Sequence, residues 1–274
     1  MSLLYENFSI GRVKGNLLSL DLEYDYGGDE FTKHDLLKKL KYWSESTSIP
    51  INIFVEGRLL YDDRVLDLLI DWNGDINLHC FDHTHPFDRK TDIRRSQNLF
   101  SSVFGRKASG YRSTRYSLNM EIIDGLIEND FIFDSSLIFN PYRGNRHNTI
   151  KKNVENLNGI GKFHSEKGEL VEFPIGYINY LYLPLVFSYV NIIGLRAFGA
   201  LMTLLSTSDL RVIDFHLVDI EPNLKNLNMN DNFLIRSAYR FNSIKKNGVG
   251  SLSGLATLFD GDFVTYTDIL KKMG

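Results

Sequence analysis

Short apolar runs alternate with longer stretches of helical spacing along most of the chain. Residues 17–22 (LLSLDL) read as a strand. In residues 31–43 the apolar positions Leu36, Leu37, Leu40 and Trp43 recur at helical spacing. The same alternation continues with a strand at 51–55, a short helix at 62–72, a strand at 76–79, a helix at 91–104, a strand at 108–111, a helix at 118–128 and a strand at 131–134. Later strands are expected at 170–173, stopped by Pro174, and at 211–217. A helix is expected at 230–246. A last strand end and helix fill 263–273, with Thr265 or Thr267 as N-cap.

Two stretches break the rhythm. Residues 137–168 are rich in Asn, Gly, Lys and Arg with little apolar periodicity, and read as a long surface excursion with some hairpin. Residues 183–205 are apolar enough to raise a membrane span, but Pro184, Asn191 and Arg196 argue against one. An Arg near a span centre costs about 2.5–3.5 kcal/mol. A buried helix, or one in peripheral contact with a membrane surface, fits this stretch better.

Strands alternating with helices indicate parallel βαβ units, and about seven fit the length. No Pro, Gly or Ser linker cuts the chain, so residues 1–274 are expected to form one α/β domain. The first choice is a (β/α) barrel, the second a doubly wound open sheet. Composition narrows the classes further. With 43% hydrophobic and 24% charged residues, the chain is that of an ordinary globular protein. A net charge of −3 gives no basic footprint for nucleic acid. The lone cysteine, Cys80, excludes an intrachain disulfide framework. The first residues lack a basic region followed by a long apolar run, so the expected compartment is the cytoplasm.

In parallel β/α folds the chemistry gathers at the carboxyl ends of the strands. The first strand ends in Asp21, Glu23 and Asp25, which alternate on one side. The third ends in His79, His83 and His85, three of the seven histidines within seven residues. Imidazoles beside a carboxylate-rich strand end suggest zinc or a similar divalent metal. His79 and His83, four apart, share a face of a helical turn; His83 and His85 would share one only in extended chain. Arg112 ends the next strand and could hold a carboxylate. Asp134, Glu172 and His216 follow at later strand ends.

This ordered set resembles the polysaccharide deacetylase superfamily over about residues 18–270. The matching stretches are Ser19-Leu20-Asp21-Leu22-Glu23, His79-Cys80-Phe81-Asp82-His83 with Pro86 nearby, Gly110-Tyr111-Arg112-Ser113-Thr114, Phe133-Asp134-Ser135-Ser136, Glu172-Phe173-Pro174 and His216. Two positions depart from the family pattern. Thr114 stands where proline is usual, and Glu23 where aspartate is usual, with Asp25 as an alternative ligand.

The resemblance implies a distorted (β/α)7 barrel. It implies a divalent metal (zinc, or cobalt or nickel) held by Glu23, His79 and His83. Asp21 would be the general base, Arg112 would orient Asp21 and keep it ionised, and His216 would protonate the leaving amine. Tyr111, Asp134 and Glu172 are the expected substrate contacts, with Tyr24, Tyr142 and Tyr177 as further candidates for stacking on a sugar ring. The implied partner is an N-acetylated carbohydrate, as in surface polysaccharide metabolism. Two alternatives stand beside this: another metal-assisted amide hydrolase on the same fold, or a degenerate barrel kept for sugar binding or assembly.

Overall fold

The computed structural model describes residues 4–7, 14–24, 30–83, 90–138, 159–178, 181, 183–205, 210–221 and 249–273. Strand β1 (Leu4–Asn7) is followed by β2 (Gly15–Leu22), α1 (His34–Thr47), β3 (Asn52–Val55), a 3-10 turn (Gly57–Tyr61), α2 (Asp63–Leu69), β4 (Ile76–Leu78) and α3 (Lys90–Phe104). Next come β5 (Gly110–Tyr111), α4 (Met120–Glu128), β6 (Phe133–Asp134), β7 (Gly161–Ser165), β8 (Gly168–Glu172), β9 (Tyr177–Ile178) and β10 (Leu183–Pro184). Helices α5 (Phe187–Ile193) and α6 (Leu195–Leu205), strand β11 (Leu210–His216), the short helix α7 (Leu217–Ile220) and helices Gly250–Ala256 and Tyr266–Met273 complete the order.

The main sheet runs β1-β7-β8-β6-β5-β4-β3-β2-β11. Seven of its strands, β8, β6, β5, β4, β3, β2 and β11, pair in parallel. This matches the count of seven βα units. The ladder is not continuous around the ring. Between β11 and the β8 end, single contacts take over: Gly176 N donates to Val212 O at 2.9 Å and Asp214 N to Leu185 O at 2.9 Å. A distorted seven-stranded barrel is therefore observed. The antiparallel strands β1 and β7 extend the sheet beyond it, β7 forming a hairpin with β8.

Successive strand residues face opposite ways, and here the two directions bury two different cores. Leu18, Leu20, Leu22, Val55, Leu78, Tyr111 and Phe215 pack outward against the helices. Leu17, Phe54, Phe133, Phe173 and Val212 pack inward, with Tyr266 from the C-terminal helix among them. The Phe133 and Tyr266 rings stack at 4.7 Å, and the Phe54 and Phe173 rings meet them edge-on. Gly110 is required by this plug: a Cβ there would lie 2.0 Å from the Phe133 ring.

The remaining expectations fare variously. Thr265 caps the last helix through a reciprocal pair with Asp268 (3.1 and 3.2 Å), whereas Thr267 bonds Asp75 instead. The apolar stretch 183–205 is no continuous helix. It begins as β10 and breaks between α5 and α6 at Gly194, whose φ is 93°. Leu185, Phe187, Val190, Phe198 and Met202 face the protein core, and no helix among the described residues is long and apolar enough to cross a membrane. The expected helix at 230–246 lies outside the described residues, as does most of the 137–168 excursion.

Candidate metal centre and active site

The inward direction that buries the aromatic plug also selects the polar residues above it. On β2 the inward row is Leu17, Ser19, Asp21 and then Glu23. Past β3 it continues from Phe54 to Glu56, past β4 to His79, past β5 from Gly110 to Arg112, and on β11 from Val212 through Asp214 to His216. The parallel register sets Asp214 beside Ser19 and His216 beside Asp21.

Glu23, His79 and His83 converge at one point. One ligand atom from each lies within 4.8 Å of the others. Glu23 Oε2 is 3.1 Å from His83 Nε2 and 3.8 Å from His79 Nε2. The Nδ1–H of His79 donates to the Arg112 carbonyl at 2.7 Å, which leaves Nε2 with its lone pair facing Glu23. Burial pushes both imidazoles down to about 3, His83 further lowered by His79 and both by His216. Both rings are therefore neutral at neutral pH, the form that ligates a metal. Burial lifts Glu23 to about 8, opposed by His216 and reinforced by Asp21, Glu56 and Asp214. His79 Nε2 and Glu23 Oε2 are buried and receive no hydrogen bond. Such atoms are costly unless something satisfies them. Two neutral imidazoles and one carboxylate are a donor set suited to a zinc-type cation with open positions. The trio thus fits a divalent metal.

Asp21, Asp214 and His216 form a second cluster of comparable spacing, but a cation is already there. Arg112 is fully buried. Its Nη1 donates to Asp21 Oδ1 at 2.7 Å and also to Asp214 Oδ1. Nη2 donates to Ser19 Oγ (3.0 Å), Ser135 Oγ (3.1 Å) and Tyr266 Oη (3.3 Å), and Nε to the Ser135 carbonyl (2.9 Å). The guanidinium lies 4.0 Å over the Phe54 ring. Asp214 also accepts from the Tyr116 hydroxyl and from Ser19 Oγ. The turn that delivers Tyr116 puts both Arg115 and Tyr116 at φ 55°, a left-handed pair of non-glycine residues that only strong tertiary contacts sustain. Thr114 lies buried at its start.

His216 stands between the two clusters. Its Nε2 is 3.8 Å from Asp21 Oδ2 and 3.8 Å from Glu23 Oε1, and its Nδ1 is 3.5 Å from Asp219 Oδ2. Asp219 also accepts from the His216 backbone N at 3.0 Å. Burial disfavours the imidazolium, but the Asp219 hydrogen bond and the charges of Glu23, Asp214 and Asp21 outweigh it. The His216 pKa stands well above the ordinary histidine value. Tyr24, next after Glu23, lines an open cleft of about 560 Å³ with Phe31, His34, Asp62 and Arg64.

Six of the nine anticipated site residues (Asp21, Glu23, His79, His83, Arg112 and His216) are thus brought together. Tyr111, Asp134 and Glu172 are not: all three are fully buried. Their inward-facing chain neighbours explain this, since Arg112, Phe133 and Phe173 take the barrel side. Tyr111 packs on Phe131 with ring centroids 5.3 Å apart. Asp134 and Glu172 are register partners that bind the backbone amides of Ser136 and Leu137. Burial pushes both carboxyls up, and the charge of Asp134 raises Glu172 further. Asp25 and Tyr142 lie outside the described residues. Asp214, Ser19, Tyr116, Tyr266, Glu56 and Asp219 were not anticipated as site residues. Ser19 and Asp214 had a signal, standing two before Asp21 and His216 on the same strand face; Tyr116 and Tyr266 had none.

No family model and no curated protein matches the chain. Solved structures do. A candidate polysaccharide deacetylase from Mycobacterium smegmatis aligns with 98% of this chain and 93% of its own, at 15% identity and a TM-score of 0.56. A mutant CE4-family pseudoenzyme aligns with 94% of this chain and 67% of its own, at 10% identity and a TM-score of 0.51. A 4-alpha-glucanotransferase from Thermococcus litoralis aligns with 94% of this chain and 38% of its own, at 13% identity and a TM-score of 0.52. The chain shares its fold with these structures.

Proposed function

We propose that the protein is a metal-dependent hydrolase that removes the acetyl group from an N-acetylated sugar or saccharide. The observation that carries this is the convergence of Glu23, His79 and His83 beside Asp21 and His216, with Glu23 Oε2 and His79 Nε2 buried and without a hydrogen bond. A divalent cation at the trio, zinc or else cobalt or nickel, supplies a Lewis acid for the amide carbonyl and for water. The protein's own groups do the rest. Arg112 occupies Asp21 Oδ1 and leaves Oδ2 turned toward His216, so Asp21 is placed to take a proton from the attacking water. His216, anchored by its reciprocal cap with Asp219, gives its Nε2 proton to the departing nitrogen, which cannot leave as an anion. Tyr111, Asp134 and Glu172 are buried and are given no contact with substrate in this reading.

The test is acetate release from N-acetylated saccharides by the zinc-loaded protein, with Asp21→Asn and His216→Ala as comparisons. Each variant is expected to retain metal and to lose about 10²–10⁴-fold in kcat. Full turnover by Asp21→Asn, or no release by the metal-loaded wild type across mono- and oligosaccharides, contradicts the proposal.

A further inference from the structure

Strand β3 contributes no ligand to the trio, yet it runs between the two strands that do. Its extension, Glu56–Arg58, is bonded on both sides. Glu56 N donates to Leu22 O at 2.8 Å, Gly57 N to Cys80 O at 2.7 Å and Arg58 N to Phe81 O at 3.1 Å. The side chains repeat the pattern. The fully buried Glu56 accepts at Oε2 from the Tyr24 amide (3.2 Å) and at Oε1 from the His83 amide (3.3 Å) and from Arg58 Nε (2.8 Å). Arg58 reaches the Asp82 carboxylate at 3.1 Å and lies 4.6 Å over the Tyr24 ring. One carboxylate and one guanidinium therefore grip the residue after Glu23 and both His83 and the residue before it.

We propose that Glu56, braced by Arg58, is a positioning residue that clamps the loops carrying Glu23 and His83 and so presets the metal site; the proposal rests on the trio being that site. A carboxylate suits this task because it only accepts, and three donors converge on it. A glutamine of the same shape turns an NH2 toward one of those donors and releases one loop. Groups of this kind behind metal ligands typically carry about 10–100-fold in affinity.

The test uses the full-length protein and cobalt(II), followed by visible absorption and chelator competition. Glu56→Gln is expected to raise the cobalt Kd by about 10–100-fold. Saturating cobalt should restore kcat, which a general packing defect would not allow. In the metal-free protein, hydrogen exchange at the Tyr24 and His83 amides should quicken while exchange in β2 is unchanged. Arg58→Met, at the partly exposed end of the clamp, should shift the Kd in the same direction by less, and serves if Glu56→Gln does not fold. A Kd equal to the wild type's in both variants, with unaltered exchange at both amides, overturns the clamp. A wild type that binds no cobalt overturns the metal reading instead; the exchange rates then decide alone whether Glu56 joins the two loops.

Discussion

Two charged clusters sit side by side at the same end of the barrel and solve burial in opposite ways. Around Arg112 the carboxylates Asp21 and Asp214 share one guanidinium, and each of its nitrogens is bonded. A few ångströms away, Glu23 Oε2 and His79 Nε2 lie 3.8 Å apart, buried and without a hydrogen bond. The first cluster carries its own cation; the second carries none among the described residues that pairs with Glu23 Oε2 other than imidazole. The difference separates the two groups of acids and imidazoles where spacing alone does not.

Breaking the Arg112 cluster should have the largest effect. Arg112→Met leaves Asp21 and Asp214 buried against each other without a cation. The expected loss is about 3–5 kcal/mol of stability, seen as a large fall in the denaturant midpoint. A midpoint near the wild type's would show that the guanidinium is not what holds the two acids.

The Glu23 cluster is sharpened by proton counting. Its imidazoles, at about 3, are already deprotonated at pH 7, whereas Glu23, at about 8, is mostly protonated there. Metal binding at pH 7 should therefore release about one proton, from Glu23. The apparent affinity should climb as pH rises toward 8 and then level off. Isothermal titration in buffers of different ionisation enthalpy reads the proton directly. Release of none, or an affinity that falls as pH rises from 6 to 8, would contradict this account of Glu23.

Much of this was legible in the sequence, and for a definite reason. Strands β2, β3, β4 and β11 are buried on both faces, so their apolar runs stand out. Period-two alternation then tells which strand-end residues share the barrel interior: Asp21 with Glu23, and Asp214 with His216. The same rule, applied through Phe133 and Phe173, turns Asp134 and Glu172 away from the mouth. Tyr111 points the same way, as the outward neighbour of Arg112. What periodicity could not reveal are partners brought from elsewhere in the chain. Tyr266 reaches Arg112 from a helix 154 residues later. Tyr116 reaches Asp214 only because two successive residues adopt left-handed backbone. Glu56 lies just past an ordinary buried strand, and only the fold places it between two ligand-bearing loops.

The central claim is that a divalent cation belongs among Glu23, His79 and His83. The direct measurement is anomalous scattering at the zinc edge from crystals of the wild-type protein grown with zinc. The account predicts one peak bonded to a Glu23 oxygen and to Nε2 of both histidines at about 2.0–2.2 Å, with Arg112 still paired to Asp21. A peak among Asp21, Asp214 and His216 with Arg112 displaced, or no peak at either cluster, would contradict it.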